Sequence, residues 1–309
     1  MLSRIAESLF WIGRYIERSD GTARILDVHL QLLLEDPWID EDTACRSLLG
    51  VMGSVPDGVT PLTAGDLIDR LGVDRTDSAS IAHCVGAARE NARRAREIVS
   101  TELWEALNET NARMPRRVAS DKTHEFFRWV RNRAALAIGI AESGSSRDEA
   151  WQFLALGRAI ERADMTARLL ATRELTEASG PSWTTILRSC GGYESYLRSY
   201  RGLPSTESAA EFLVLDRLFP RSIIASVIRA EEALREIDPR AGRVGVTDQA
   251  QRLLGGIRSE LEYRPITELI DGLADYMEHV QVVVSASSDA IRRRYFPASA
   301  VPVWIGEVS

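Results

Sequence analysis

Two stretches of this chain place acids and guanidines at helical spacing, and they are near copies of each other. Residues 9–26 read LFWIGRYIERSDGTARIL, and residues 153–170 read FLALGRAIERADMTARLL. At a constant offset of 144, without a gap, ten of the eighteen positions are identical. Six of the ten are polar: Arg14, Glu17, Arg18, Asp20, Thr22 and Arg24 in one copy, Arg158, Glu161, Arg162, Asp164, Thr166 and Arg168 in the other. Duplicated core helices usually keep their apolar pattern and let their charges drift. Retained charges imply that they face something other than bulk water.

At 100° per residue, Leu9, Ile12, Ile16, Ala23 and Leu26 share one side, an ordinary core stripe. Gly13, Glu17, Asp20 and Arg24 form a second stripe about a quarter-turn away, and Arg14 and Arg18 lie beyond Glu17. The second copy repeats this with Gly157, Glu161, Asp164 and Arg168, flanked by Arg158 and Arg162. Glycine inside a helix costs ~1 kcal/mol relative to alanine. Its presence in both copies predicts a close backbone approach. The two helices are therefore expected to pack together and cross-pair carboxylates with guanidiniums, whose planar fork suits a carboxylate.

That arrangement supports three chemistries. One is a buried salt-bridge network that fixes helix register. The second is a polar cavity for an amino acid, a peptide end or a phosphate. The third is a carboxylate di-metal site. Bundle proteins of that kind use Glu-x-x-His, whereas here the third residue on is Asp20 or Asp164 and each copy brings three arginines that repel a divalent cation. No metal and no cofactor is expected. A catalytic variant of the cavity would use one carboxylate as general base.

Little else in the chain offers chemistry. The only lysine is Lys122, and no GxxxxGK[ST] surrounds it. Cys45, Cys84 and Cys190 are odd in number and widely spaced, which fits buried thiols in a reducing compartment. His29, His83, His124 and His279 show no ligand spacing. The net charge of −7 argues against indiscriminate nucleic-acid binding. Between Arg89 and Arg133, however, eleven Arg and Lys outnumber seven Asp and Glu. Within this segment Arg89, Arg93 and Arg96 fall on one helical stripe, either a solvated face or a docking surface for an acidic partner or anionic ligand.

The elements that must position these residues are all helical. The periodicity predicts helices over 3–36, with Ser3 as cap, and over 41–52, 63–71, 78–112, 121–141 and 146–177. In the second half it predicts 182–200 with a kink at Gly191-Gly192, then 205–218, 221–237, 247–263, 265–272 and 273–295. No stretch alternates like a strand. The fold class is an all-α multi-helix bundle of eight to twelve helices with an internal two-fold pseudo-repeat, one domain over 1–296 with halves near 1–144 and 145–296. Beyond the signature, order and composition pair SLLGVMG with FLVLDRLFP and ARENARRARE with IRAEEALREI. Residues 297–309 read as a tail. No leader or membrane-length apolar run is evident, so a soluble cytoplasmic protein is expected.

The segments GRYIERSDGTARIL, ARENARRAREIVSTELWEALN and GRAIERADMTARLL together resemble the alpha-E proteins, an all-helical family with a Glu-Arg pair that matches Glu17-Arg18 here and, internally, Glu161-Arg162. The likeness extends to about Phe296. It implies a bacterial cytosolic protein often encoded beside a circularly permuted ATP-grasp protein and a transglutaminase-like protein, and a part in peptide ligation or modification. An ATP-grasp ligase and a transglutaminase-like protein are thus the partners that the resemblance implies.

Overall fold

The computed structural model describes residues 1–309 except 37, 55–57, 59, 173–181, 240–246 and 298–309. Among the described residues every regular element is helical. The first half comprises α1 (Ser3–Glu35), α2 (Glu41–Met52), α3 (Ala64–Leu67) continued by a π-helical turn (Ile68–Val73), α4 (Ile81–Arg94), α5 (Thr101–Ala112) and α6 (Thr123–Gly144). The second comprises α7 (Glu149–Ala171), α8 (Trp183–Ser189), α9 (Tyr193–Tyr200), α10 (Thr206–Leu215), α11 (Ile223–Ile237), α12 (Gln249–Tyr263), α13 (Ile266–Asp271) and α14 (Leu273–Tyr295).

The two signature helices, α1 and α7, lie side by side at the centre and run in the same direction. Each carries buried residues around nearly its whole circumference. A helix surrounded in this way is a core element, and its charged residues must find partners inside the molecule. On the outer flanks α1 packs against α4 and α6, and α7 packs against α11 and α14. α5 covers α4 and α6, and α12 covers α11 and α14. Phe296, just past α14, lies against both Phe10 and Phe153, with ring centroids at 5.6 and 5.7 Å.

The crossing of α1 and α7 depends on two glycines. A Cβ on Gly13 would stand 2.2 Å from the Leu154 carbonyl oxygen, and one on Gly157 would stand 2.0 Å from that of Phe10. The opposing atoms are backbone and cannot rotate away.

Shared threonines seat the flanking helices. Thr22 donates from its hydroxyl to the carbonyl of Ala79 at 3.3 Å, and Thr166 donates to that of Arg221 at 3.0 Å. Each of those carbonyls immediately precedes an N-cap serine, Ser80 of α4 or Ser222 of α11. The serine oxygens accept from the backbone N–H of His83 and Ala225, satisfying donors that a helix start leaves open.

Several boundaries differ from those that periodicity predicts. The expected single helix over 78–112 is two, because Ser100 caps a fresh start by accepting from Leu103 N–H. A serine inside an alanine- and arginine-rich run competes with the helix ladder for backbone bonds. Ser3 is the first helical residue, and Leu2 holds the cap position without a side-chain bond. α7 is capped by Asp148, not Ser146. The stop expected at Gly72 is overrun by the π turn to Val73. The break at Gly191 is found, with φ at 66°. The expected run of α7 to residue 177, the Pro239–Gly245 loop in its greater part, and the tail lie outside the described residues.

Gly157→Ala is expected to lower the melting temperature by several degrees, a loss of about 1–3 kcal/mol or more from overpacking. Gly139→Ala, whose Cβ meets nothing within 4 Å, should be neutral or stabilising, since Ala is favoured in a helix by ~1 kcal/mol. Circular-dichroism melts of the two variants give the comparison, and equal effects would contradict the close crossing.

Candidate functional site

Glu17 and Glu161 are both sealed from solvent, at 1% and 0% exposure. Each is held by arginines of the other signature helix. Arg162 of α7 donates twice to Glu17, from Nε at 2.8 Å and from Nη2 at 2.7 Å. Arg14 and Arg18 of α1 both donate to Glu161, Arg14 from Nε at 2.5 Å and Arg18 from Nη2 at 3.1 Å as well as from its own Nε. The stripes that the sequence places a quarter-turn from the core thus meet face to face across the glycine crossing.

The outer arginines of the stripes act differently. Arg24 donates to Asp20 at 2.9 Å, and Arg168 donates to Asp164 at 2.8 Å, both one turn back on their own helix. Their other ends reach across the molecule. Arg24 donates to the carbonyl of Ser189 at the end of α8, and Arg168 to that of Val51 at the end of α2. Both of these helix ends turn on a left-handed glycine, Gly191 at 66° and Gly53 at 72°. Both close with the backbone bonds of a Schellman turn. The position relative to α1 that matches α2 against α7 is therefore held by α8. Pairing SLLGVMG with FLVLDRLFP by order and composition chose α10, two helices further along the chain than α8. Composition could not distinguish two short apolar helices.

Three partners were not legible in the sequence. Arg221 donates to Glu17 at 2.8 Å and to Asp20 at 2.7 Å. The periodicity makes it the first residue of the 221–237 helix, whereas it stands just ahead of the N-cap Ser222, in the loop before α11. Ser288 of α14 accepts from Arg14 at 2.6 Å, and Glu142 of α6 accepts from Arg158 at 2.7 Å. Arg158 departs from the pattern of full pairing. It comes no closer to Glu17 than 3.9 Å. Its buried Nε has no hydrogen-bond partner. A buried donor left unmatched costs about 1–3 kcal/mol.

The electrostatics follow from this geometry. Burial alone would raise the Glu17 carboxyl, but Arg162, Arg221 and Arg158 outweigh it and hold the group well below the usual carboxylate range. Burial likewise opposes ionisation of Glu161, yet Arg14 and Arg18 hold it down at about 2. Arg158 is shifted the other way for a cation: burial, then the neighbouring Arg162, lower it. In all, Arg14, Arg18, Arg24, Arg158, Arg162, Arg168 and Arg221 meet Glu17, Asp20, Glu142, Glu161 and Asp164, so guanidiniums outnumber carboxylates in this network of an acidic protein.

The remaining candidates lie apart. Burial pushes the thiols of Cys45 and Cys84 up to about 12 and that of Cys190 to about 11, so none is a ready nucleophile. Among the described residues no group of three or more His, Cys, Asp or Glu is placed to hold a metal ion. Nor is any described helix long and apolar enough to cross a membrane. The expected stripe of Arg89, Arg93 and Arg96 does not form on one helix, because α4 ends at Arg94. Arg89 lies over the Trp104 ring at 5.2 Å and bonds Asn108, and Arg93 pairs with Glu90 at 2.7 Å. Arg93 and Arg96, with Arg4, Trp11 and Tyr15, line a groove outside the central pair.

Both glutamates have folded-state pKa values below the unfolded reference of 4.5. Their contribution to stability is therefore complete above that value and is lost as pH falls through the folded one. The urea midpoint should accordingly fall between about pH 4.5 and about pH 2, and Glu161→Gln should show a shallower fall over this window. A variant slope equal to the wild-type slope would remove Glu161 from the acid transition.

Known proteins agree with this architecture at the level of family. An uncharacterised protein of Mycobacterium bovis is 24% identical over 97% of the chain, and so is an uncharacterised protein of Mycobacterium tuberculosis. The chain spans only 38% of the length of these relatives. No solved structure matches. Residues 1–296 match the family described as a predicted alpha-helical domain with a conserved ER motif, and this chain carries Glu-Arg pairs at Glu17-Arg18 and Glu161-Arg162. The chain belongs to this family, Alpha-E.

Proposed function

We propose that this chain is an accessory or binding protein of the bacterial cytoplasm. It acts with an ATP-grasp ligase, and with a transglutaminase-like protein, in a peptide-ligation or peptide-modification system. The duplicated Glu-Arg helices are its structural clamp. One observation carries the accessory role: both shared glutamates are buried, ionised and held by guanidiniums of the opposite helix. A carboxylate with so depressed a pKa is a poor general base near neutral pH, which ranks the enzyme reading below the accessory one. The partnership itself rests on the family resemblance.

We also infer that the two halves descend from one ancestral unit. The shared threonines, the exchanged helix-end contacts of Arg24 and Arg168, and the matching company of α1 and α7 all support this. A pure scaffold is the second reading, favoured by the same complete pairing of Glu17 and Glu161.

Glu17→Gln leaves Arg162 and Arg221 short of charge, and breaking one side of a buried pair costs about 3–5 kcal/mol. Its melting temperature should fall clearly. Arg93→Glu with Arg96→Glu, both on exposed side chains, should leave the melt unchanged. Co-purification with the ATP-grasp ligase encoded in the same genome, and the rate of that ligase, are measured for the wild type and each variant below its melt. Weaker capture by the exposed-arginine variant would place docking on the α4 face. A wild-type chain that neither binds the ligase nor alters its rate would overturn the partnership.

A further inference from the structure

The aligned copies differ most informatively where they are not charged. Trp11 and Tyr15 of α1 correspond to Ala155 and Ala159 of α7. In the first half the two rings stack at 5.4 Å, and Tyr15 meets the edge of His83 from α4 at 6.2 Å. They occupy part of the space between α1 and α4 and form one wall of the groove beside Arg93 and Arg96. In the second half the equivalent groove, between α7 and α11, has only alanine methyls at those positions. A half-enclosed cavity of about 420 Å³ remains.

The walls of this cavity are basic. Arg158, Arg162, Arg217 and Arg229 line it, against Glu142 and Glu232. Arg162 is committed to Glu17. Arg229 bonds Gln152 at 2.9 Å and meets Glu232 only at 3.4 Å. Arg158 spends one arm on Glu142, and its buried Nε is unmatched. Leu218 and Arg217, both exposed, stand at the rim. The volume falls in the usual range for small-ligand sites, about 300–1,000 Å³, and convergent guanidiniums are the groups that recognise carboxylate and phosphate.

We propose that the α7–α11 cavity binds a small ligand through an oxyanion group, carboxylate or phosphate, met by the guanidiniums of Arg158 and Arg229 on its walls. Alanines at 155 and 159 make the room at positions that Trp11 and Tyr15 occupy in the first half. This adds a ligand to the reading above but rests on the cavity alone, so it stands or falls independently of any ligase.

The test uses the full chain without a partner. Titration calorimetry is run with inorganic phosphate, with glutamate and with the dipeptide Ala-Glu, at low and moderate salt. Two variants accompany the wild type. Ala155→Trp with Ala159→Tyr refills the cavity as the first half does and leaves every arginine in place. Arg158→Met removes one guanidinium from the cavity wall. Saturable binding of at least one probe is expected, at least tenfold weaker in Arg158→Met and absent from the refilled variant, with the refilled variant's melting temperature at or above that of the wild type. Phosphate alone binding would assign the site to phosphate, and glutamate or Ala-Glu alone to a carboxylate. No saturable heat from any probe, or equal binding by wild type and a folded refilled variant, would overturn the proposal.

Discussion

A charge taken out of water must be met by another, and in this bundle the two central helices meet that demand by exchange. Glu17 of α1 is held by arginines of α7, and Glu161 of α7 by arginines of α1. Neither helix can satisfy its own glutamate in this way. The exchange also fixes register. Glu17 faces Arg162 with Arg158 one turn back, and Glu161 faces Arg18 with Arg14 one turn back. A slip of one turn would move each carboxylate off its bidentate partner while keeping it buried, and a buried charge without its partner is among the most costly defects a fold can carry. Hydrophobic burial could bring α1 and α7 together in several registers. The charges select one of them. The glycines permit it, because they let the helices come close enough for short guanidinium–carboxylate contacts.

The clamp is nearly the same from both sides, yet its surroundings are not. Arg221 gives Glu17 and Asp20 an extra guanidinium, whereas the residue whose carbonyl Thr22 reaches in the other half, in the place of Arg221, is Ala79. Arg221 bonds Glu17, while Arg158 stays 3.9 Å from it and bonds Glu142. Arg14, its counterpart, keeps Glu161 and adds Ser288, whose hydroxyl brings no charge. Thus in one half both arginines of the clamp keep the glutamate, and aromatic rings line the neighbouring groove. In the other, one arginine turns to Glu142, and alanines line a cavity of about 420 Å³.

The centre of this molecule was legible because its constraint is expressed in residue types. Polar identity at Arg14, Glu17, Arg18, Asp20 and Arg24 and their copies marks residues that a solvated face would not keep. Glycine at 13 and 157 marks a backbone contact, because helices otherwise avoid it. Helix existence followed from apolar periodicity with few exceptions. What could not be read is what depends on distance in space and not on spacing in the chain. Arg221 sits in a loop, and a single arginine there carries no pattern. Ser288 and Glu142 are ordinary helical residues until α14 and α6 are docked. The correspondence of α2 with α8 is defined by which helix end Arg168 and Arg24 reach, and that is settled by tertiary geometry. Ser100 misled for a local reason: inside a strongly helical composition, one side-chain oxygen was enough to restart the helix.

The distribution of protons completes the picture of what this fold can do. A general base needs a carboxyl that can accept a proton at the working pH, and the ring of arginines denies that to Glu17 and Glu161. The same ring cannot easily release its own glutamates to bind an external anion, since each is worth more where it is. Recognition on this scaffold must therefore fall to the cations in surplus, at the edges of the clamp where helices separate. Arg158 is the one clamp arginine that combines incomplete pairing with a place on a cavity wall. Its shift below the usual guanidinium range has the same cause: burial and the neighbouring Arg162 act on it against too little negative charge. An incoming oxyanion would add to that charge. A central network that is too tightly paired to react thus creates, at its margin, a place where an anion is wanted.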